Sequence, residues 1–131
     1  QKMIEGDEIT VGPLKSVKNF TYAGNVASAV LLALKAPRAA QNHAYNIGGK
    51  PMALSQVLVQ LKEIVEKKLH KHIHIHIDRS IKLPTKNEIG ALKLSTVLAQ
   101  KNLHWKEAVP LKAGLESTVD YFLTPLKKER K

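Results

Sequence analysis

The sequence predicts an α/β fold, and three stretches carry that expectation. Val17–Tyr22 is a short β-prone run that breaks at Gly24 and passes into an apolar helix ending before Pro37. Ser55–Leu69 holds a second helix with one apolar face. His70–Asp78 alternates His with Ile at a period of two, the pattern of a strand with one dry and one wet face. A strand that feeds directly into a buried helix is the grammar of layered α/β proteins.

In chain order, Glu5, Gly6, Asp7 and Glu8 form an acidic turn, and Ile9, Thr10 and Val11 a short β-prone run closed by Gly12 and Pro13. The first long helix is expected to open on Asn25 as its N-cap, since an Asn side-chain oxygen accepts an otherwise unpaired amide hydrogen of the first turn. Val26, Ala29, Val30, Ala33 and Leu34 recur at helical spacing, and Ala27, Leu31 and Leu32 make the helix apolar almost all round. Such a helix needs cover on more than one side. Pro37 stops it. A polar linker, Arg38–Asn42, leads to a brief expected strand, His43–Gly49, that ends on paired glycines.

In the helix over Ser55–Leu69, Val57, Leu58, Leu61, Ile64 and Val65 share one face. Glu63 and Lys67 stand four apart in the favourable order, worth ~0.3–0.5 kcal/mol. Arg79–Gly90 reads as loop, with Pro84 inside it. Ser95 or Thr96 is expected to cap a short helix through Lys101. A last helix spans Leu111 to Leu123, with Leu111, Leu115, Thr118, Val119 and Phe122 along one side and Pro125 as its stop. Residues 1–123 thus form one region, and residues 124–131 a solvated basic tail.

A chain of 131 residues has room for one domain with a real core. No apolar run approaches the roughly 20 residues that span a bilayer, and no signal-peptide pattern is expected from the first residues. The chain opens on Gln1, which suits a processed product or a piece of something longer. It has no cysteine, hence no disulfide framework, thiolate zinc site or cysteine nucleophile, which suits a cytoplasmic protein. The net charge of +10 favours anionic partners, whether nucleic acid, acidic membrane surface or phosphorylated small molecule. A Lys-rich surface that only keeps the protein dispersed explains the charge equally well.

The alternating histidines are the loudest chemical signal. Two imidazoles in His-x-His on a strand stand ~7 Å apart at Cα, close enough to share a zinc or nickel ion. His72, His74 and His76 together span too far for one ion, and Asp78 is the only acid beside them. A solvent-facing strand whose polar positions happen to be His is the plainer account, with any bound metal adventitious.

Nucleic-acid binding finds less support. The basic residues are scattered, aromatics are 5%, and Phe20, Tyr22, Tyr45, Trp105 and Tyr121 sit inside apolar patterns instead of among the lysines. Catalytic constellations are missing. Gly48-Gly49 lacks the third glycine of a dinucleotide fingerprint, and no tyrosine has a lysine four residues on.

Three stretches in order, Phe20–Leu34 ("FTYAGNVASAVLLAL"), Tyr45–Gly49 ("YNIGG") and Leu103–Pro110 with Gly114–Phe122 after it, resemble the C-terminal portion of extended short-chain dehydrogenases/reductases. This is the NAD(P)-dependent epimerase/dehydratase superfamily, which includes 3β-hydroxysteroid dehydrogenases. The resemblance implies the substrate-binding lobe of a Rossmann-type enzyme, with the nucleotide-binding lobe absent. Glycine fingerprint, Ser/Thr and the catalytic Tyr and Lys would all lie before Gln1. The chain by itself would then be non-catalytic and bind no cofactor, while the parent would use NAD(P). Its partners would be the missing N-terminal Rossmann lobe and a small-molecule substrate, a nucleotide sugar or a steroid-like alcohol.

By the same resemblance Lys18 stands where nucleotide-sugar members place an Arg on the diphosphate, keeping the charge and losing the bidentate fork. Tyr22 and Lys86 are the other substrate-binding candidates. Ordinary strand packing and solvation account for Lys18 and Tyr22 as well. The chain departs from the family pattern at Gly24-Asn25, where many relatives have Asp-Asp. It departs again at His104, where they have Gly, and at Val97-Leu98-Ala99, where they have Ser-Lys-Ala. The run Tyr22–Ala27 is nearer the steroid branch. A lobe without its covering half would also expose the helix over Val26–Lys35 and self-associate. The alternative to the enzyme reading is a free-standing basic module on an anionic partner such as nucleic acid.

Overall fold

A computed structural model of the chain describes residues 1–81 and 93–129, with side chains as far as Thr124. The elements are α1 (Lys2–Glu5), β1 (Glu8–Val11), β2 (Val17–Asn19), α2 (Ala23–Lys35), a 3-10 turn (Arg38–Ala40), β3 (Pro51–Ala53), α3 (Leu54–Leu69), β4 (His74–Ile77), α4 (Val97–Leu103) and α5 (Leu111–Glu129). The α/β class therefore holds. The strands form two separate pairs, β1 parallel to β4 and β2 antiparallel to β3.

One core forms where α3 and α5 cover the β1–β4 pair. Ile64 and Val65 of α3 meet Ile9, Ile73, Val119 and Leu123, with Met3 of α1 closing one end. The face expected on this helix is the one used: Val57, Ile64 and Val65 are buried, and Leu58 and Leu61 pack against the cluster. Lys71 ties the N-terminal segment down. Its Nζ donates to the carbonyls of Ile4 at 3.2 Å and Gly6 at 2.8 Å and pairs with Asp7 at 3.1 Å. The second core is built of small residues around one large one: Ala29, Ala40, Ala99 and Leu103 surround Trp105.

Several local expectations are corrected. β2 ends at Asn19 instead of Tyr22, because its partner there is Pro51, which has no N–H to continue the ladder. His43–Gly49 forms no strand; its glycine end is held by a side chain, described below. The His-Ile alternation is a strand only over His74–Ile77, since His70 takes the left-handed conformation (φ 50°) that ends α3. Its dry face also fades, from Ile73 at 0% exposure to Ile77 at 49%. Among the described residues, the pair that forms within α3 is Lys62–Glu66, at 3.5 Å, in place of Glu63–Lys67. Helix α5 runs through Pro125 to Glu129, forgoing one backbone hydrogen bond. Tyr121 lies outside any apolar pattern, 74% exposed.

Candidate functional site

The junction of β2 with α2 gathers most of the residues singled out by the resemblance. Lys18 is exposed in the middle of β2, opposite Met52, and makes no ion pair among the described residues. Asn19 beside it joins three segments. Its Nδ2 donates to the Gly49 carbonyl at 2.6 Å, and its Oδ1 accepts from the Leu94 N–H at 3.2 Å. Gly49 is buried, and a Cβ there would run into the Phe20 carbonyl and the Glu107 carboxylate. Gly49 of "YNIGG" thus lets its backbone lie directly on that of Phe20.

Tyr22 is the residue before α2, and its ring is nested between two glycines. A Cβ on Gly24 would meet the ring at 2.7 Å, and one on Gly114 of α5 would meet the Tyr22 Cβ at 2.8 Å. The half-buried ring therefore cements the first turn of α2 to the first turn of α5. Lys86 lies outside the described residues.

Asn25 does not cap α2, as the sequence led us to expect; it is the third residue of the helix and almost wholly buried. Its side chain pairs with the Val109 backbone in both directions, Nδ2 donating to the carbonyl at 2.8 Å and Oδ1 accepting the N–H at 3.0 Å. The Trp105 indole N–H donates to the Asn25 carbonyl at 2.9 Å. One asparagine thereby docks the whole segment between α4 and α5 onto α2.

The rest of α2 is covered on one side only. Ala29 is buried, whereas Val30 is 55%, Leu31 57% and Leu34 74% exposed. Shallow grooves flank this apolar stripe, one lined by Val26, Ile47 and Leu103, the other by Leu34, Gln41 and His43.

Two carboxylates near β4 carry perturbed affinities. Glu66 accepts the Ile73 N–H at 2.8 Å, and that bond, with help from Lys62 and His72, holds its pKa below the usual value. Asp78 is likewise lowered, chiefly by the Ser80 hydroxyl. His72 Nδ1 lies 2.9 Å from the same Glu66 oxygen, and the His72 and His74 rings stand 4.9 Å apart. Among the described residues no three metal-ligating side chains converge. The sequence reading missed the roles of Asn19 and Glu66. A signal for Asn19 existed, because an Asn closing a β-prone run is disfavoured unless its side chain serves nearby backbone.

No protein-family model and no curated protein matches the chain. Solved structures do. The UDP-glucose 4-epimerase of Thermotoga maritima, solved with UDP-glucose, is 29% identical over 95% of this chain and 38% of its own, with a TM-score of 0.75. The UDP-glucuronic acid 4-epimerase of Bacillus cereus, solved with UDP-glucuronic acid and NAD, is 23% identical over 92% of this chain and 36% of its own, with a TM-score of 0.72. The L-threonine dehydrogenase of Clostridium difficile is 13% identical over 95% and 38%, also at 0.72. The chain spans little more than a third of the length of the structures it matches. In the described residues no helix is long and apolar enough to cross a membrane. Its neighbours over most of its length are thus NAD-dependent epimerases and short-chain dehydrogenases, and its fold is that of the C-terminal part of these Rossmann-type proteins.

Proposed function

We propose that this chain is the substrate-binding portion of an NAD(P)-dependent epimerase/dehydratase acting on a nucleotide sugar. The observation that carries the reading is the 29% identity to a UDP-glucose epimerase along 95% of the chain. Lys18 and Lys86 supply positive charge to the substrate diphosphate, and Tyr22, locked between Gly24 and Gly114, holds the start of α2 just after the strand that carries Lys18. Hydride transfer and the proton-handling Tyr and Lys belong to a nucleotide-binding half. The outward stripe of α2 is the face that half covers, since Val30, Leu31 and Leu34 have no cover here. The net charge of +10 suits a diphosphate-bearing substrate.

The test is calorimetry on the chain joined to its nucleotide-binding half. UDP-glucose is expected to bind, and Lys18→Ala to weaken it about tenfold, the effect of losing one charge-assisted contact of ~1.4 kcal/mol. Failure of every UDP-sugar to bind overturns the substrate assignment. Binding of a hydroxysteroid instead would move it to the branch that the Tyr22–Ala27 run resembles. The chain alone is expected to bind no NAD(P), and saturable micromolar binding would contradict the division of labour.

A further inference from the structure

The histidines ahead of and within β4 play no part in the reading above. Ile73 is wholly buried, so its neighbours His72 and His74 project outward together. Their ring centroids lie 4.9 Å apart with the planes nearly perpendicular, at 82°. Behind them sits Glu66 of α3. Its Oε1 lies 2.9 Å from His72 Nδ1, accepts the buried Ile73 N–H at 2.8 Å, and is 3.5 Å from the Lys62 ammonium.

The Nδ1 edge of the His72 ring thus faces the Glu66 carboxylate, which leaves Nε2 on the opposite edge of the ring. The same carboxylate–histidine arrangement orients and strengthens histidines that bind metals. Two imidazoles on one tetrahedral ion, at Zn–N distances of ~2.0–2.1 Å, bring their ring centroids to roughly 5 Å. The spacing of His72 and His74 already matches. His74 is exposed, so its ring is open to solvent on this side of the strand.

We propose that His72 and His74 form a two-imidazole chelate for a divalent transition ion such as Zn²⁺ or Ni²⁺, with Glu66 as positioning residue. Imidazole suits these ions, and water completes the coordination shell, because among the described residues no third protein ligand joins the pair. The site is therefore open and exchangeable. His76 shares the exposed face but lies a further strand step along, and Glu66 buttresses His72.

The experiment is a titration of the 131-residue chain with Ni²⁺, followed by calorimetry and by the NMR signals of the histidine rings. One ion per chain is expected, perturbing His72 and His74 first. His72→Ala and His74→Ala should each weaken binding at least tenfold, Glu66→Gln by about 10- to 100-fold, and His76→Ala not at all. Both alanine changes are at exposed side chains, so they read the site even if Glu66→Gln disturbs folding. The absence of binding at millimolar Ni²⁺ would overturn the proposal. So would His72→Ala binding as tightly as the parent, or His76→Ala costing as much as His74→Ala.

Discussion

Asn25 shows how much one buried amide can organise. Its two bonds to Val109 satisfy donor and acceptor at once, so Asn25→Ala strands both backbone groups. We expect a loss of about 2–4 kcal/mol in urea unfolding. His104 works in the opposite direction. It ends α4 with φ 55°, a left-handed conformation that costs a residue with a Cβ ~1–2 kcal/mol. His104→Gly is expected to raise stability by ~1 kcal/mol, less the entropy glycine adds to the unfolded chain, whereas His104→Ala should not. The lowered pKa values of Glu66 and Asp78 set a pH dependence with a definite sign. Their folded values lie below the ordinary 4.5 and 3.8, so their contribution is complete above those values and drains away as pH falls through them. Thermal melts should show stability declining below pH 4.5, with a shallower decline in Glu66→Gln.

Among the elements, α3 was the most legible, for its apolar residues repeat on a single face and solvent takes the other. Helix α2 was harder. Its residues are apolar nearly all round, and spacing cannot say which side the chain itself covers. The structure covers Ala29 and leaves Val30 and Leu34 open. Ala29→Leu is accordingly expected to overpack the small-residue core around Trp105 and cost ~1–3 kcal/mol. Val30→Lys and Leu34→Lys should leave the unfolding midpoint of the isolated chain within about 0.5 kcal/mol. A large loss from either lysine would mean that the stripe is covered from within. The short strands resisted reading for another reason. A three-residue run such as β2 is defined by its partner, and the Pro51 that ends it lies 32 residues from Asn19 (51 − 19).

For the whole molecule, the uncovered stripe implies an association that the net charge opposes but does not prevent at ordinary salt, since screening sets in within ~10 Å. We expect sedimentation to show the average mass of the isolated chain rising with concentration. The double change Val30→Lys, Leu34→Lys should hold it monomeric. A parent chain that stays monomeric at high concentration would count against an open seam on α2. The sequence by itself determined the α/β class, the face of α3 and the resemblance of Phe20–Leu34, Tyr45–Gly49 and Leu103–Pro110 to the C-terminal portion of extended short-chain dehydrogenases/reductases. All of these are local in spacing or composition. Tertiary structure alone decided that Asn25 docks a distant loop instead of capping a helix, that Glu66 stands behind His72, and which side of α2 is bare. The physical reason is that a polar side chain's partner and a helix's covered face depend on which distant backbone arrives beside them.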